Sequence, residues 1–202
     1  VPYRALFEGD PDVFNDGIPF TGAVEVFLRQ ADGSYQFHQE LAAPMAVGWE
    51  FFGQSLGLSR DGKLAVIGAP GAVGFEASGL DSGAVHVFAR RASGLFEYAQ
   101  ELANPLSYRS DQYGVEVAVS DAGESVIVGA GEGDVALAFA FPDSDEDGVL
   151  DVLDNCSADP NPDQLDLDSD DEGDVCDADL DGDGLVNEAE TNDGVFVDTN
   201  QS

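Results

Sequence analysis

Carboxylates at alternate positions crowd the C-terminal part of this 202-residue chain, and they do so in one register three times over. The first run is Asp143-x-Asp145-x-Asp147-Gly148-Val149-x-Asp151-x-x-Asp154. The second is Asp166-x-Asp168-x-Asp170-Asp171-Glu172-x-Asp174-x-x-Asp177, and the third is Asp179-x-Asp181-x-Asp183-Gly184-Leu185-x-Asn187-x-x-Glu190. Side-chain oxygens at positions 1, 3, 5, 9 and 12 of a twelve-residue loop, with a backbone carbonyl at position 7, make up the ligand set of a calcium loop. The register therefore predicts three Ca²⁺ sites, with Val149, Glu172 and Leu185 supplying the carbonyls.

The spacing has a physical reason. Ca²⁺ takes six to eight oxygens at about 2.3–2.6 Å, and a tight loop turns its alternate side chains onto one ion. Glycine at position 6 makes the sharp turn, because without a Cβ it reaches positive φ at little cost. The second run carries Asp171 there. Aspartate is among the few other residues that tolerate the left-handed region, so that turn is expected to form under strain. The bland alternative is a solvated acidic tail. Random acidity, however, would not hold the register through three successive runs.

Charge sets the next limits. The formal net charge is -34, and the seven basic residues all lie at or before Arg109. From Asp143 onward there are 22 acids and no Lys or Arg, so this segment is not expected to compact against its own repulsion without a bound cation. Nucleic acid and anionic membrane both need a basic face and are poor partners, so no nucleic-acid partner is expected. No apolar run is long enough to span a bilayer, so no direct membrane insertion is expected.

The same stretch resembles a known family. Asp154-Asn155-Cys156, Asn161-Pro162-Asp163-Gln164 and Asp174-Val175-Cys176-Asp177 are similar to the thrombospondin type 3 repeat over Asp143 to Asp177. Ser157 stands where that family places a proline after the first cysteine. The third run is closer to the EF-hand-like loops of dockerin and related modules. The resemblance implies a Cys156–Cys176 disulfide; the residues alone leave two free thiols or a transition-metal site open. A disulfide implies an oxidising compartment, and calcium loops of modest affinity imply millimolar calcium, both of which point to an extracellular or cell-surface location.

Positioning these loops is a second region, residues 1–141, that repeats with a period of 61. Gly22-Ala-Val-Glu-Val-Phe27 recurs as Gly83-Ala-Val-His-Val-Phe88, and Gln39-Glu-Leu-Ala-Ala-Pro44 as Gln100-Glu-Leu-Ala-Asn-Pro105. Phe52-Gly53 recurs as Tyr113-Gly114, and Gly68-Ala69-Pro70 as Gly129-Ala130-Gly131. A fixed offset across separate motifs marks an internal repeat. Short runs rich in Val, Ile, Leu, Phe and Tyr predict strands over 54–59, 63–68, 84–90 and 96–102, separated by Asp-Gly, Gly-Ala-Pro and Ser-Gly breaks. Four strands per repeat is the pattern of a propeller blade.

Phe52-Gly53-Gln54-Ser55, Ser59-Arg60-Asp61-Gly62, Ala65-Val66-Ile67-Gly68-Ala69-Pro70 and Gly83 to Phe88 resemble the FG-GAP repeat of integrin alpha-subunit propellers. Pro2 to Leu6 align with Lys63 to Ile67, so Val1 is expected to lie inside a blade of a larger propeller. Many FG-GAP blades hold a calcium loop where this chain reads Ser59-Arg60-Asp61-Gly62-Lys63, so no blade calcium site is expected. The fold class that follows is all-β. A partial β-propeller of four-stranded FG-GAP-type blades over 1–141 leads into an irregular, calcium-stabilised, disulfide-linked repeat stalk over 142–202, with little regular secondary structure.

Catalytic chemistry is not legible. His38 and His86 read as exposed or half-buried strand residues, and no Ser-His-Asp order, phosphate loop or zinc spacing appears. Trp49 reads as core packing, and the sequon Asn155-Cys156-Ser157 falls in a tight loop. The expectation is a non-enzymatic adhesion or cell-surface binding protein whose propeller presents loops, Gly71 to Ser82 the longest, to an extracellular protein or glycan. Two alternatives are an accessory region of a large secreted enzyme and a spacer before a surface anchor.

Overall fold

A computed structural model describes residues 4–6, 21–44, 50–72, 83–105, 112–131 and 135–182. The chain divides into two compact units, Val1–Phe141 and Pro142–Ser202. Among the described residues the regular structure is all strand, and no helix is long and apolar enough to cross a membrane.

Among the described residues the first unit holds three antiparallel sheets. Strands β1 (Arg4–Leu6), β2 (Val24–Arg29) and β3 (Tyr35–Leu41) form one in that order. A four-stranded meander follows, with β4 (Ser55–Leu58), β5 (Leu64–Ala69), β6 (Ala84–Arg90) and β7 (Phe96–Leu102). Last come β8 (Tyr113–Val119), β9 (Ser125–Ala130) and β10 (Val135–Ala140). A closed propeller is not formed by these sheets.

The sequence repeat is also a repeat of register. Arg4 pairs with Phe27 as Ala65 pairs with Phe88, and Val24 pairs with Leu41 as Val85 pairs with Leu102. Even the β-bulge recurs, between Val26 and Phe27 and again between Val87 and Phe88. In the third sheet Ala130 pairs with Val135 as Ala69 does with Ala84, although four residues join β9 to β10 where fourteen join β5 to β6.

Burial explains why near-identical strands differ in sequence. Val24, Val26 and Leu41 of the first sheet share one apolar cluster with Phe52, Ala65, Ile67, Ala69, Ala84, Phe88 and Phe96 of the second. Because strand side chains alternate between faces, Leu64, Val66, Val85 and Val87 point the other way. They are fully buried, and β8 lies across β4 and β5. Strand β5 is thus covered on both faces and reads as a continuous apolar run. Strand β9 alternates instead: Val126 and Val128 are fully buried, whereas Ile127 is 53% exposed.

Polar contacts fix the spacing between sheets. The Gln39 side chain donates to Phe96 O at 2.7 Å and accepts from the Phe96 N–H at 2.8 Å. Ser55 Oγ donates to Gly114 O at 2.7 Å. Gly83, at φ 80°, forms a parallel bridge with Tyr113, and a Cβ there would run into the Tyr113 backbone. The same contact recurs between Gly22 and Phe52. Glycine at the head of the repeat is what lets one sheet approach the next.

The second unit has turns and bends in place of strands over its described residues 142–182. Its backbone donors are divided between backbone carbonyls and aspartate side chains, the latter described next.

Candidate calcium loops

The first two acidic runs share three side-chain-to-backbone hydrogen bonds at matching positions. In the first, Asp143 Oδ2 accepts from Gly148 N–H (3.0 Å), Asp145 Oδ1 from Asp147 N–H (3.2 Å), and Asp147 Oδ1 from Val149 N–H (2.8 Å). In the second, Asp166 Oδ2 accepts from Asp171 N–H (3.1 Å), Asp168 Oδ1 from Asp170 N–H (3.3 Å), and Asp170 Oδ1 from Glu172 N–H (2.8 Å). Short side-chain carboxylates bonding the backbone two residues on are Asx turns, and they close each loop without a sheet or helix.

Asp166 spends both of its oxygens in this way, because its Oδ1 also accepts from Ser169 N–H at 2.7 Å, whereas Asp143, Asp145 and Asp154 each spend one. In the first loop the others, Asp143 Oδ1, Asp145 Oδ2 and Asp154 Oδ2, are shielded from solvent and have no hydrogen-bond partner. Asp143, Asp145 and Asp147 bring carboxylate oxygens within 4.8 Å of one another, and so do Asp166, Asp168 and Asp170. Removal from water pushes the Asp145 carboxyl up, reinforced by the charges of Asp147, Asp154 and Asp143 and opposed by the hydrogen bond from Asp147 N–H. Asp168 is pushed up the same way, by desolvation first and then by Asp170, Asp177 and Asp166. Converging carboxylates held apart from water and from donors fit a hard cation with oxygen ligands. Positions 1, 3, 5 and 12 would hold Ca²⁺, which on binding would neutralise the repulsion among them.

Position 9 is hydrogen-bonded to the start of its own loop. Both oxygens of Asp151 are taken by Ser144, from its N–H at 2.7 Å and its hydroxyl at 2.6 Å. Asp174 Oδ1 likewise accepts from Leu167 N–H at 2.7 Å. These two aspartates, expected as ligands, tie the end of each loop back to its start. Asp154 and Asp177, at position 12, each also accept from the N–H two residues on, Cys156 at 2.8 Å and Asp179 at 2.6 Å. Val149 and Glu172 sit at the turn, where their N–H groups donate as given above.

Backbone strain falls where expected and also where it was not. Gly148 and Asp171 at position 6 have φ 94° and 75°, so Asp171 does take the left-handed turn without being glycine. Position 4 is left-handed as well, with Glu146 at 64°, Ser169 at 66° and Gly182 of the third run at 67°. Asp179 and Asp181 are described, and Asp179 O accepts from Gly182 N–H at 2.9 Å. Asp183, Leu185, Asn187 and Glu190 lie outside the described residues, as does Trp49 and most of the loop from Gly71 to Ser82.

Cys156 and Cys176 are joined, with Cα atoms 5.8 Å apart. Closing a loop of 20 residues stabilises by about 3 kcal/mol in chain-entropy terms. Beneath it the Asn155 amide nitrogen faces Gln164 O and Leu165 O at 3.5 and 3.4 Å, and its Oδ1 accepts from Asn161, which ties up the sequon nitrogen.

The blades contain no comparable acid cluster among the described residues. Asp61 Oδ1 instead accepts from Ser59 Oγ and Lys63 N–H, a hairpin turn. His38, half-buried, lies 3.1 Å from Gly94 O. His86 departs from expectation: it is 6% exposed, packed between Phe52 and Tyr98, and burial lowers its pKa to about 4. It is a neutral core residue there.

Comparison with curated proteins finds no match to the chain. Comparison with family profiles gives no FG-GAP match to the blades. The thrombospondin type 3 repeat, a calcium-binding repeat, matches residues 130–164 and 165–191, so that the two matches meet between Gln164 and Leu165 and together cover the first two loops, the disulfide and the whole third run.

Proposed function

We propose that this is an extracellular, non-enzymatic calcium-binding protein of the adhesion or cell-surface binding class. An FG-GAP-type propeller presents loops to a protein or glycan partner, and a calcium-rigidified segment follows it. The observation that carries the calcium part is the set of shielded, partnerless carboxylate oxygens in the first loop, on a register repeated in the second. The type 3 repeat match and the disulfide support secretion. The propeller assignment is supported by the repeated register and by the face-on stacking of consecutive sheets.

Calorimetric titration of the full chain with Ca²⁺, disulfide intact and reversed by chelator, tests this. Saturable stoichiometric binding is expected, and chelation should expose residues 143–190 to protease. Unchanged protease resistance after chelation would sink the calcium-rigidified reading. For the partner, glycan and matrix-protein arrays probed with and without calcium should show a binder; an empty array would remove adhesion and leave calcium binding standing.

A further inference from the structure

We infer that Gln164, seated on Asn161, is a positioning residue for the first calcium loop; this rests on the calcium reading above. A twelve-residue loop carries its own ligands. Here, though, two of its carboxylates are steered from outside. Asp154 Oδ1 accepts from Gln164 Nε2 at 2.7 Å alongside the Cys156 N–H at 2.8 Å, and Oδ2 of the same carboxylate is the shielded, partnerless oxygen. Asp147 Oδ2 accepts from Asn161 N–H at 2.8 Å.

The clamp is itself held on every side. Gln164 Nε2 is also 2.8 Å from Asn161 Oδ1 and 3.2 Å from Asn161 O, while Gln164 Oε1 accepts from Asn155 N–H at 3.0 Å. Asn161 is 3% exposed, and its Nδ2 donates to Asn155 Oδ1 at 2.7 Å. An amide is the chemistry this place requires. It donates to a carboxylate without neutralising it, so the full charge of Asp154 remains for the cation. A lysine would compete with the ion, and a carboxylate would repel Asp154. The working unit of the first site is therefore residues 143–164.

Calorimetric Ca²⁺ titrations of the full chain separate the loops. The double variant Asp168→Asn, Asp181→Asn leaves the first loop to be read, and Asp145→Asn, Asp181→Asn leaves the second. In the first background, Gln164→Met and Gln164→Glu should each weaken binding at least tenfold; in the second, neither should change it more than twofold. Both substitutions keep the side chain's length, so a role limited to filling space would survive them, whereas a donor role survives neither. An intact disulfide and an unchanged protease pattern at saturating calcium show that each variant is folded. Wild-type affinity at the first loop in both variants, or equal weakening of both loops, overturns the inference while calcium binding stands. No saturable binding by the unsubstituted chain removes the calcium reading itself, and this inference with it.

Discussion

The sheets of the first unit, blades on the proposed reading, and the acidic loops solve the same problem by opposite means. In the blades, backbone groups are satisfied by ladders between strands, and fully buried side chains such as Leu64, Ile67 and Val87 supply the driving force. In the loops, backbone N–H groups are satisfied by carboxylates from within the same few residues, and Leu165, Leu167 and Val175 stand more than half exposed. One region excludes water. The other concentrates negative charge, with 22 acids and no Lys or Arg from Asp143 onward. On the calcium reading proposed above, stability rests on apolar burial before Pro142 and on ion occupancy after it.

The largest test of that contrast is a pair of truncations. Ile67→Ala, in the apolar cluster between the first two sheets, should cost about 2–5 kcal/mol and leave calcium affinity unchanged. Leu167→Ala should stay within about 0.5 kcal/mol, because the side chain is 63% exposed. Denaturant unfolding with parallel calcium titration reads both. A large loss from Leu167→Ala would mean that the loops keep an apolar core after all.

Much of the blade region was legible because its signals are periodic. The expected runs 84–90 and 96–102 coincide with β6 and β7, and 54–59 and 63–68 differ from β4 and β5 by a residue or two at their ends. The repeat even placed residues near Pro2 to Leu6 opposite β2, where Arg4–Leu6 pairs. His86 escaped because alternation says which side of a sheet a residue takes, whereas burial depends on what a neighbouring sheet lays over it. In the loops, the convergence of the carboxylates at positions 1, 3 and 5 was readable from spacing. The bracing of Asp151 by Ser144 and the left-handed Glu146 and Ser169 were not. Those depend on which oxygen of a carboxylate faces inward, and no residue type encodes that. Gln164 stood in a noticed motif, yet only the hydrogen bond to Asp154 assigns it a task.

Reducing Cys156–Cys176 should come next in size, costing about 3 kcal/mol by chain entropy and falling on the loops alone. Two unfolding transitions followed by calorimetry would show it, the blade transition holding its midpoint while the loop transition moves. Movement of the blade transition would contradict the separation into two units.

Acidity should act on the loops with a sign that depends on the ion. The carboxyls of Asp145 and Asp168 are raised in the folded loop, mainly by desolvation and then by neighbouring charge. A group whose folded value is raised contributes stability that is present below the unfolded value, about 4, and is lost as pH rises through the folded one. Without calcium, then, residues 143–182 should become more compact and more protease-resistant as pH falls into the carboxylate range. Calcium affinity should fall over the same interval, because protons and Ca²⁺ compete for those oxygens. Loosening of the metal-free loops on acidification would show that repulsion is not what opens them.

The smallest expected effect is the most pointed, because it compares the two loops at a single position. Gly148 and Asp171 take the same left-handed turn, and their N–H groups meet Asp143 Oδ2 and Asp166 Oδ2 in the same way. A residue with a Cβ loses roughly 1–2 kcal/mol in that region, aspartate less than most, while glycine carries an entropic cost of roughly 0.5–1 kcal/mol. Asp171→Gly should therefore stabilise the second loop by at most about 1 kcal/mol and tighten its calcium up to about fivefold, leaving the first loop as it was. Gly148→Asp should weaken the first by a similar factor. If Asp171→Gly instead weakens calcium, its carboxylate contributes to the ion's field from outside the ring of ligands, and the second loop is a different site from the first.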